Sequence, residues 1–297
     1  QKRYHVLAMV ADLHAITTPT SPKKLHENTL KTAAFYIAAG LNPKKSVIFV
    51  QSHVPAHLEL AWIFNTFTPV GELERMTQFK EKKKETGTMA GLLNYPVLQA
   101  ADVLIYNPEI VPIGEDQMQH LELTRTLARK FNNRFGKTFK EPRAIVTKGT
   151  ARIMALDDPT KKMAKSAANP NNYIALLDSP DEIRRKIKIA VTDSGQKIKH
   201  DEKTKPAVSN LITIYGAFSG LSHQKIERKY RGQGYAEFKK DLAELLIKKL
   251  SPIQKKYREL SRNETKIQKI LKEGADKASA LASRTLLDVK RKVGFVL

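Results

Sequence analysis

Three lysines within five positions, Lys161, Lys162 and Lys165, stand in the run Asp157-Asp158-Pro159-Thr160-Lys161-Lys162-Met163-Ala164-Lys165-Ser166. A turn-forming Asp-Asp-Pro precedes them and the polar stretch Ala167-Ala168-Asn169-Pro170-Asn171-Asn172 follows, so neither helix nor strand is expected to propagate through the segment. The spacing predicts a mobile basic loop over 157–172. Lys162 and Lys165 can set two ammonium groups on a polyphosphate while the small Ala164 lets backbone N–H groups approach it. A charge run of this kind is also the ordinary composition of a solvated surface, so its meaning depends on the rest of the chain.

Two further constellations could do chemistry. Asp102 lies among Val, Leu, Ala and Ile, and a carboxylate in such surroundings must be paired or hydrogen-bonded, because burying it bare is costly. Gln99 is three residues earlier and projects from the same helical face, so a polar pair aimed into a pocket competes with an internally bonded Asp. Gly114-Glu115-Asp116-Gln117 follows a short apolar run at 110–113. A Gly at a strand end before a helix N-terminus lets a ligand reach backbone N–H groups, and Asp116 can accept from ribose hydroxyls; an acidic first turn complementing the helix dipole is the plain alternative. His120, one turn on, reads as a hydrogen-bonded surface or core histidine.

The elements that must hold these residues are an α/β set. The apolar run at 4–12 and Ser46-Val47-Ile48-Phe49-Val50-Gln51 read as buried strands, joined by a helix that Ser21-Pro22 opens and Gly40 closes. Two such strands make a parallel βαβ unit, and ligands bind at the carboxyl ends of its strands, which places Asp12-Leu13-His14-Ala15 and Gln51-Ser52-His53 at a site. Helices are expected over 55–67, with Trp62 in the core or a subunit interface, over 71–82, over 97–106 and from Gly114-Glu115-Asp116-Gln117 to near Gly136. Beyond the basic loop the pattern is helical, with starts at Ser179-Pro180 and Lys205-Pro206 and helices over 235–250, 252–260 and 264–292. Lysine-rich faces at Lys239-Lys240, Lys248-Lys249 and Lys255-Lys256, with Arg184-Arg185-Lys186, look outward. The expected division is a Rossmann-like catalytic domain over 1–156, the loop 157–172, and a basic helical domain over 173–297 whose last helix can pack back on the first domain.

Composition narrows the class. The 297 residues are 41% apolar, enough for a large core, and no run approaches a membrane span or a signal peptide. Without cysteine there is no disulfide, thiolate nucleophile or cysteine-zinc site, so no structural zinc is expected and a reducing cytoplasm fits. Lys and Arg number 52 against 30 Asp and Glu, a net charge of +22. Residues 1–160 carry 21 against 15 and residues 161–297 carry 31 against 15, so the second half is the expected polyanion face. Neither G-x-G-x-x-G nor G-x-x-x-x-G-K-[ST] occurs, so neither a dinucleotide site nor a Walker loop is supported.

With the loop, Asp102, the Gly114 turn and the helical second half in order, the chain closely resembles the bacterial-type tryptophanyl-tRNA synthetases, a class I aminoacyl-tRNA synthetase family. Lys162-Met163-Ala164-Lys165-Ser166 is similar to the class I KMSKS signature, with Ala164 where the family has Ser. Residues 71–82, 95–102, 110–125, Ala151-Arg152-Ile153-Met154 and Ala190-Val191-Thr192-Asp193-Ser194 also resemble stretches of these enzymes, in order and spacing. The resemblance implies ATP-dependent activation of L-tryptophan to tryptophanyl-adenylate and its transfer to tRNA(Trp), by a cytoplasmic homodimer that needs no membrane. Mg²⁺ would come bound through the ATP phosphates rather than on protein ligands.

By the same resemblance Asp102 accepts the indole N–H, His14, Tyr95 and Gln117 line its pocket, and Ala100-Ala101 leave room for a two-ring side chain. Gly114, Glu115, Asp116 and Ile153 hold adenosine. Lys162, Met163, Ala164, Lys165 and Ser166 hold the triphosphate, with Lys162 and Lys165 catalytic and Lys80 and Lys82 assisting at the pyrophosphate. Apolar residues 58–67 and Leu92-Leu93 are candidates for a dimer interface. The family's HIGH-like signature is not in the sequence, which opens on Gln1; that segment is expected to lie upstream. Three competing readings are the same reaction with tyrosine, a non-catalytic RNA-binding protein derived from a synthetase, and a metabolic nucleotidyltransferase on the same scaffold that needs no RNA.

Overall fold

A computed structural model describes residues 1–80, 87, 89–146, 153–164 and 167–297, with Glu115 described by its backbone alone. Contacts gather the chain into two compact units, Gln1–Val146 with Tyr257–Leu297, and Thr147–Lys256.

The first unit starts from a parallel pair. Strand β1 (Val6–Val10) runs alongside β2 (Ser46–Val50), with Val6 opposite Ser46 and Val10 opposite Val50. The crossover is α2 (Pro22–Ala38), which Ser21 caps by accepting from Lys24 N at 3.3 Å, and which buries Ala33, Ala34, Ile37 and Ala38. A short helix, α1 (Asp12–Ala15), leaves the end of β1, and a 3-10 turn at Gln51–His53 leaves the end of β2. Asp12 joins the two ends: its carboxylate accepts from Ser52 N at 3.0 Å and Ser52 Oγ at 2.5 Å. This is the βαβ unit expected from the apolar runs.

Helices α3 (Ala56–Asn65), α4 (Val70–Glu74), α5 (Ala90–Leu104) and α6 (Met118–Phe135) complete the wall of the unit, along with a second parallel pair, β3 (Ile110–Pro112) and β4 (Arg143–Ile145). Leu60 and Phe64, Val97 and Leu104, Leu127 and Phe131 are fully buried in one cluster. The last helix, α11 (Glu264–Val293), adds Ala278 and Ala282 to that cluster. It crosses β2 so closely that a Cβ at Gly274 would fall 1.8 Å from the carbonyl oxygen of Ile48.

Several expectations are corrected. Residues 71–82 do not form one helix: α4 ends at Glu74 and a helical turn resumes at 77–80, beyond which 81–86 lie outside the described residues. Strand β4 is not expected from the sequence, since Arg143-Ala144-Ile145 is too short to declare itself. Trp62 is 71% exposed and is not part of the core, because α3 turns Leu60, Ala61 and Phe64 inward instead. Leu92 is buried with Met76, Phe79 and Tyr95, so it is core and not a surface patch.

The second unit is helical: α7 (Pro180–Ile189), α8 (Pro206–Ser219), α9 (His223–Lys229) and most of α10 (Tyr235–Ser261). Ser179 and Glu182 form a reciprocal capping box that starts α7. Ile187, Val208, Ile212, Phe238 and Leu242 fill its core. Helix α10 runs unbroken through Pro252, where two helices were expected. Proline removes one intrahelical bond, and burial of Leu250, Gln254 and Tyr257 on either side offsets that loss.

The basic runs are not uniformly solvated. Lys186 is buried, with Nζ 2.6 Å from Asp178, and Lys239 Nζ donates to the carbonyls of Lys188 and Ala190 at the end of α7. Arg184 is held by Glu244 and Asp181. Lys248, Lys249, Lys255 and Lys256 do face solvent.

Candidate active site

A cavity of about 280 Å³ opens at the carboxyl ends of β1 and β2, where a doubly wound sheet puts its ligands. Leu7, Met9 and Ala11 line it from β1 and its end, Phe49 from β2, His14 from α1, and Gln99, Asp102, Val103 and Tyr106 from α5 and the turn after it. Small-molecule pockets begin near about 300 Å³, so this one suits a single amino-acid side chain, not a dinucleotide. The spacing 99, 102, 103, 106 is one helical face. Ala100 and Ala101 sit on the opposite face, fully buried in the core, so the expectation that they make room for a ligand is corrected.

Asp102 is the polar centre of this wall, and four contacts hold it. Gln51 Nε2 donates to Oδ1 at 2.9 Å and to Oδ2 at 2.8 Å. His57 Nδ1 lies 2.6 Å from Oδ1, and His14 Nε2 lies 2.8 Å from Oδ2. The Gln51 amide is oriented through its side-chain oxygen, since Oε1 accepts from Leu13 N at 3.1 Å. Burial by itself raises the Asp102 pKa, but the hydrogen bonds from His14 and His57 outweigh it and hold the carboxyl below its usual value. The group is therefore an anion at neutral pH and can only accept.

That charge assigns the protons around it. His57 must present Nδ1–H to Asp102, which leaves Nε2 as an acceptor for Tyr106 O–H at 2.8 Å. Burial, and then the Asp102 charge, pushes the Tyr106 phenol upward, so it keeps its proton. Neither His57 nor Tyr106 stood out in the sequence. One signal was available: His57 and Glu59 are the two titratable residues in the Ala56-His57-Leu58-Glu59-Leu60-Ala61-Trp62 helix start, and the rest of it is apolar.

The other anticipated residues fall in three groups. His14 is in the cavity wall with its side chain 20% exposed. Tyr95 stands edge-on to His14 with ring centroids 6.1 Å apart, and its hydroxyl bonds Gln78 and His120 at 3.0 Å each, which makes His120 the core histidine expected. Gln117 reaches the wall through Gln99, whose Nε2 lies 3.3 Å from Gln117 Oε1, and Gln117 Nε2 donates to Asp116 at 2.9 Å. Asp116 is exposed, and its carboxylate folds back over Gly114, where a Cβ would lie 2.6 Å from Oδ1. Lys80 is exposed; Lys82 lies outside the described residues.

The basic stretch belongs to the second unit. Met154 and Lys162 pair as an antiparallel bridge, Met163 N donates to Ile153 O at 3.0 Å, and Asn210 clasps both backbone groups of Met154 at 2.8 Å. Asp157 accepts from Asn172, whose Oδ1 in turn accepts from Ala164 N at 3.0 Å. Lys161 is tied to Asp158, which Thr160 and Lys161 hold down at a pKa of about 2. Lys162 is exposed and makes no ion pair among the described residues, so of these two its ammonium is the one available to a ligand. Lys165 and Ser166 lie outside the described residues.

The family model described as tRNA synthetases class I (W and Y) matches residues 1–251. This chain belongs to that family. The tryptophan--tRNA ligase of Caldanaerobacter subterraneus subsp. tengcongensis is 53% identical over 298 residues, covering all of this chain and 90% of the relative. That of Clostridium acetobutylicum is 50% identical over 300 residues, covering all of this chain and 89% of the relative. Among solved structures, the Campylobacter jejuni tryptophanyl-tRNA synthetase complexed with ADP and tryptophan superposes with a TM-score of 0.83 at 34% identity, over 99% of this chain and 91% of that one. The class I fold, a Rossmann-like α/β domain with a helical domain, is thus the fold of this chain.

Proposed function

We propose that this chain activates L-tryptophan with ATP and transfers it, through tryptophanyl-adenylate, to tRNA(Trp). The observation that carries the reading is the identity of half or more with tryptophan--tRNA ligases over the whole chain. A cavity of one side chain's size, closed by an ionised carboxylate, agrees with it.

In this reading Asp102 accepts the indole N–H. A site whose buried acceptor goes unpaired rejects an analogue lacking the donor by about 10⁴-fold or more, so phenylalanine is excluded chemically. The tryptophan carboxylate attacks the α-phosphorus, the bond to the bridging oxygen breaks, and pyrophosphate carries away the electron pair. A terminal ribose hydroxyl of tRNA then attacks the acyl carbon and AMP leaves. No step needs a protein nucleophile; catalysis is positioning and charge stabilisation. Lys162 and Lys165 meet the charge on the leaving pyrophosphate, Lys80 and Lys82 assist there, and the 162–166 stretch is assigned to the triphosphate. Gly114, Glu115, Asp116 and Ile153 take adenosine, while His14, Tyr95 and Gln117 shape the tryptophan side.

In this reading Mg²⁺ would come bound through the phosphate oxygens of ATP and would supply charge neutralisation there. A cytoplasmic enzyme is proposed, as the charging of tRNA for protein synthesis implies. No helix among the described residues is long and apolar enough to cross a membrane. A homodimer is proposed through the exposed Leu58 and Trp62 of α3.

Replacing Asp102 by Ala tests the core of this reading. The expected outcome in tryptophan-dependent pyrophosphate exchange is a rise of about a hundredfold or more in KM for tryptophan, with KM for ATP nearly unchanged. Equal losses for both substrates would refute Asp102 as the indole acceptor.

A further inference from the structure

The Asp102 carboxylate is not held evenly. At Oδ1 it meets His57 and Gln51, whose side chains are sealed in the interior; at Oδ2 it meets Gln51 and His14, and His14 is the one donor with access to the cavity. A carboxylate offers about four lone-pair positions, so all are engaged and a ligand N–H must take the place of the exchangeable donor. The exchangeable donor is His14. His57 cannot swing away: its Nε2 is bonded to Tyr106 and its ring packs against both Phe49, at 6.1 Å between centroids, and Tyr106, at 5.5 Å.

We infer that His57 and Tyr106 form a positioning pair that locks Oδ1 of Asp102 from inside the protein, so that Oδ2 stays aimed into the cavity and selects ring systems bearing an N–H. The inference rests on the assignment of the cavity to the tryptophan side chain. Tyr106 acts at one remove. Its O–H donates to Nε2 and holds the ring in the pose in which Nδ1–H meets Asp102; without it, Nε2 is left unpaired in the interior and the ring can tilt off Oδ1. The carboxylate is then held less firmly and departs from the cavity geometry. Neither residue touches the reacting atoms, so both are positioning residues and not catalytic ones.

The plain alternative is a satisfied core histidine whose loss loosens the fold. The two differ in what they do to selectivity. The test measures the affinity of the full chain, by titration calorimetry, for tryptophan and for β-(3-benzothienyl)alanine, in which sulfur replaces the ring N–H. Tyr106→Phe keeps the ring and its edge-on packing against Phe49, at 5.8 Å between centroids, and removes one O–H. It should lower the ratio of the two affinities about tenfold, the worth of one hydrogen bond, with the loss confined to tryptophan. His57→Leu should lower the ratio further. His57→Asn, whose amide N–H sits near the position of Nδ1, should restore part of it. The ¹⁵N shifts of His57 should report the Nδ1–H tautomer in the native chain and, in Tyr106→Phe, a shift at Nε2 from the lost hydrogen bond together with a weaker Nδ1–H bond to Asp102.

Asp102→Ala, which removes the acceptor, is the control that separates the two levels of the argument. If it leaves the ratio intact, the assignment of the cavity fails and the inference falls with it. If it abolishes the ratio while Tyr106→Phe leaves it unchanged, or weakens both ligands equally, the positioning pair alone is overturned.

Discussion

Asp102 is an anomaly legible from its sequence neighbours alone: a carboxylate inside an apolar helix must have partners, whether in a pocket or as an internally bonded core group. What the sequence could not supply were those partners. Gln51, His57 and His14 lie 51, 45 and 88 residues away, and nothing local in Ala56-His57-Leu58 says which way the ring turns. The pKa direction makes the network testable by pH. The folded-state pKa of Asp102 is depressed by His14 and His57 against the opposing effect of burial. Its stabilisation is therefore complete above the unfolded carboxyl value of about 3.9 and is lost as pH falls through the lower folded value. In urea unfolding, Asp102→Asn should be less stable than the native chain by about 2 kcal/mol at neutral pH, since an amide sets a donor against donors. That gap should stay constant down to about pH 5 and narrow only on further acidification. A gap that closes between pH 7 and 5 would place the titrating group elsewhere.

Strands β1 and β2 and helix α2 could be read from apolar runs and a Ser-Pro start because those signals are local. The close packing of α11 on β2 could not, since it joins residues more than two hundred positions apart. Gly274 shows how strict that contact is: a methyl group there would overlap the Ile48 carbonyl, and backbone in a paired strand cannot move aside as a side-chain tip can. Overpacking a core usually costs about 1–3 kcal/mol, and a clash with strand backbone belongs at or above the top of that range. Gly274→Ala should therefore lower the denaturant midpoint by an amount equivalent to about 3 kcal/mol or more, whereas Lys277→Ala, on the exposed face of the same helix, should change it by less than about 0.5 kcal/mol. Equal stability of Gly274→Ala and native protein would mean that α11 does not press on β2 as described. Helix geometry also explains why the two alanines do not line the cavity. Ala100 and Ala101 precede Asp102 in sequence, but helical rotation gives the cavity to positions 99, 102 and 103.

Charge composition changes its meaning once the full chain is folded. Counted by compact unit, residues 147–256 carry 23 Lys and Arg against 12 Asp and Glu, and the remaining residues carry 29 against 18, so each unit has a net charge of +11. The basic half of the sequence does not coincide with one unit, because α11 folds with the first; the second simply carries its excess on fewer residues. An apolar feature stands against this charged background: Leu58 and Trp62, one turn apart on α3, are 50% and 71% exposed. An aromatic anchor of that kind suits a subunit interface, so Trp62→Lys should convert a sedimenting dimer to monomer, and an unchanged sedimentation coefficient would move the interface elsewhere. The charge itself predicts a difference between the two substrates. Tryptophan meets a sealed carboxylate that salt does not reach, while tRNA binds by displacing counterions from its phosphates. With about six phosphates neutralised, raising salt from about 50 to 200 mM should weaken tRNA binding about a thousandfold, along a straight line in log–log coordinates. Tryptophan affinity measured on the same samples should change by less than about twofold, roughly the scatter of such titrations. Reversing the charge of Lys248, Lys249, Lys255 and Lys256 together should flatten the tRNA line and leave tryptophan affinity where it was; a slope untouched by that change would assign the phosphate contacts to other basic residues.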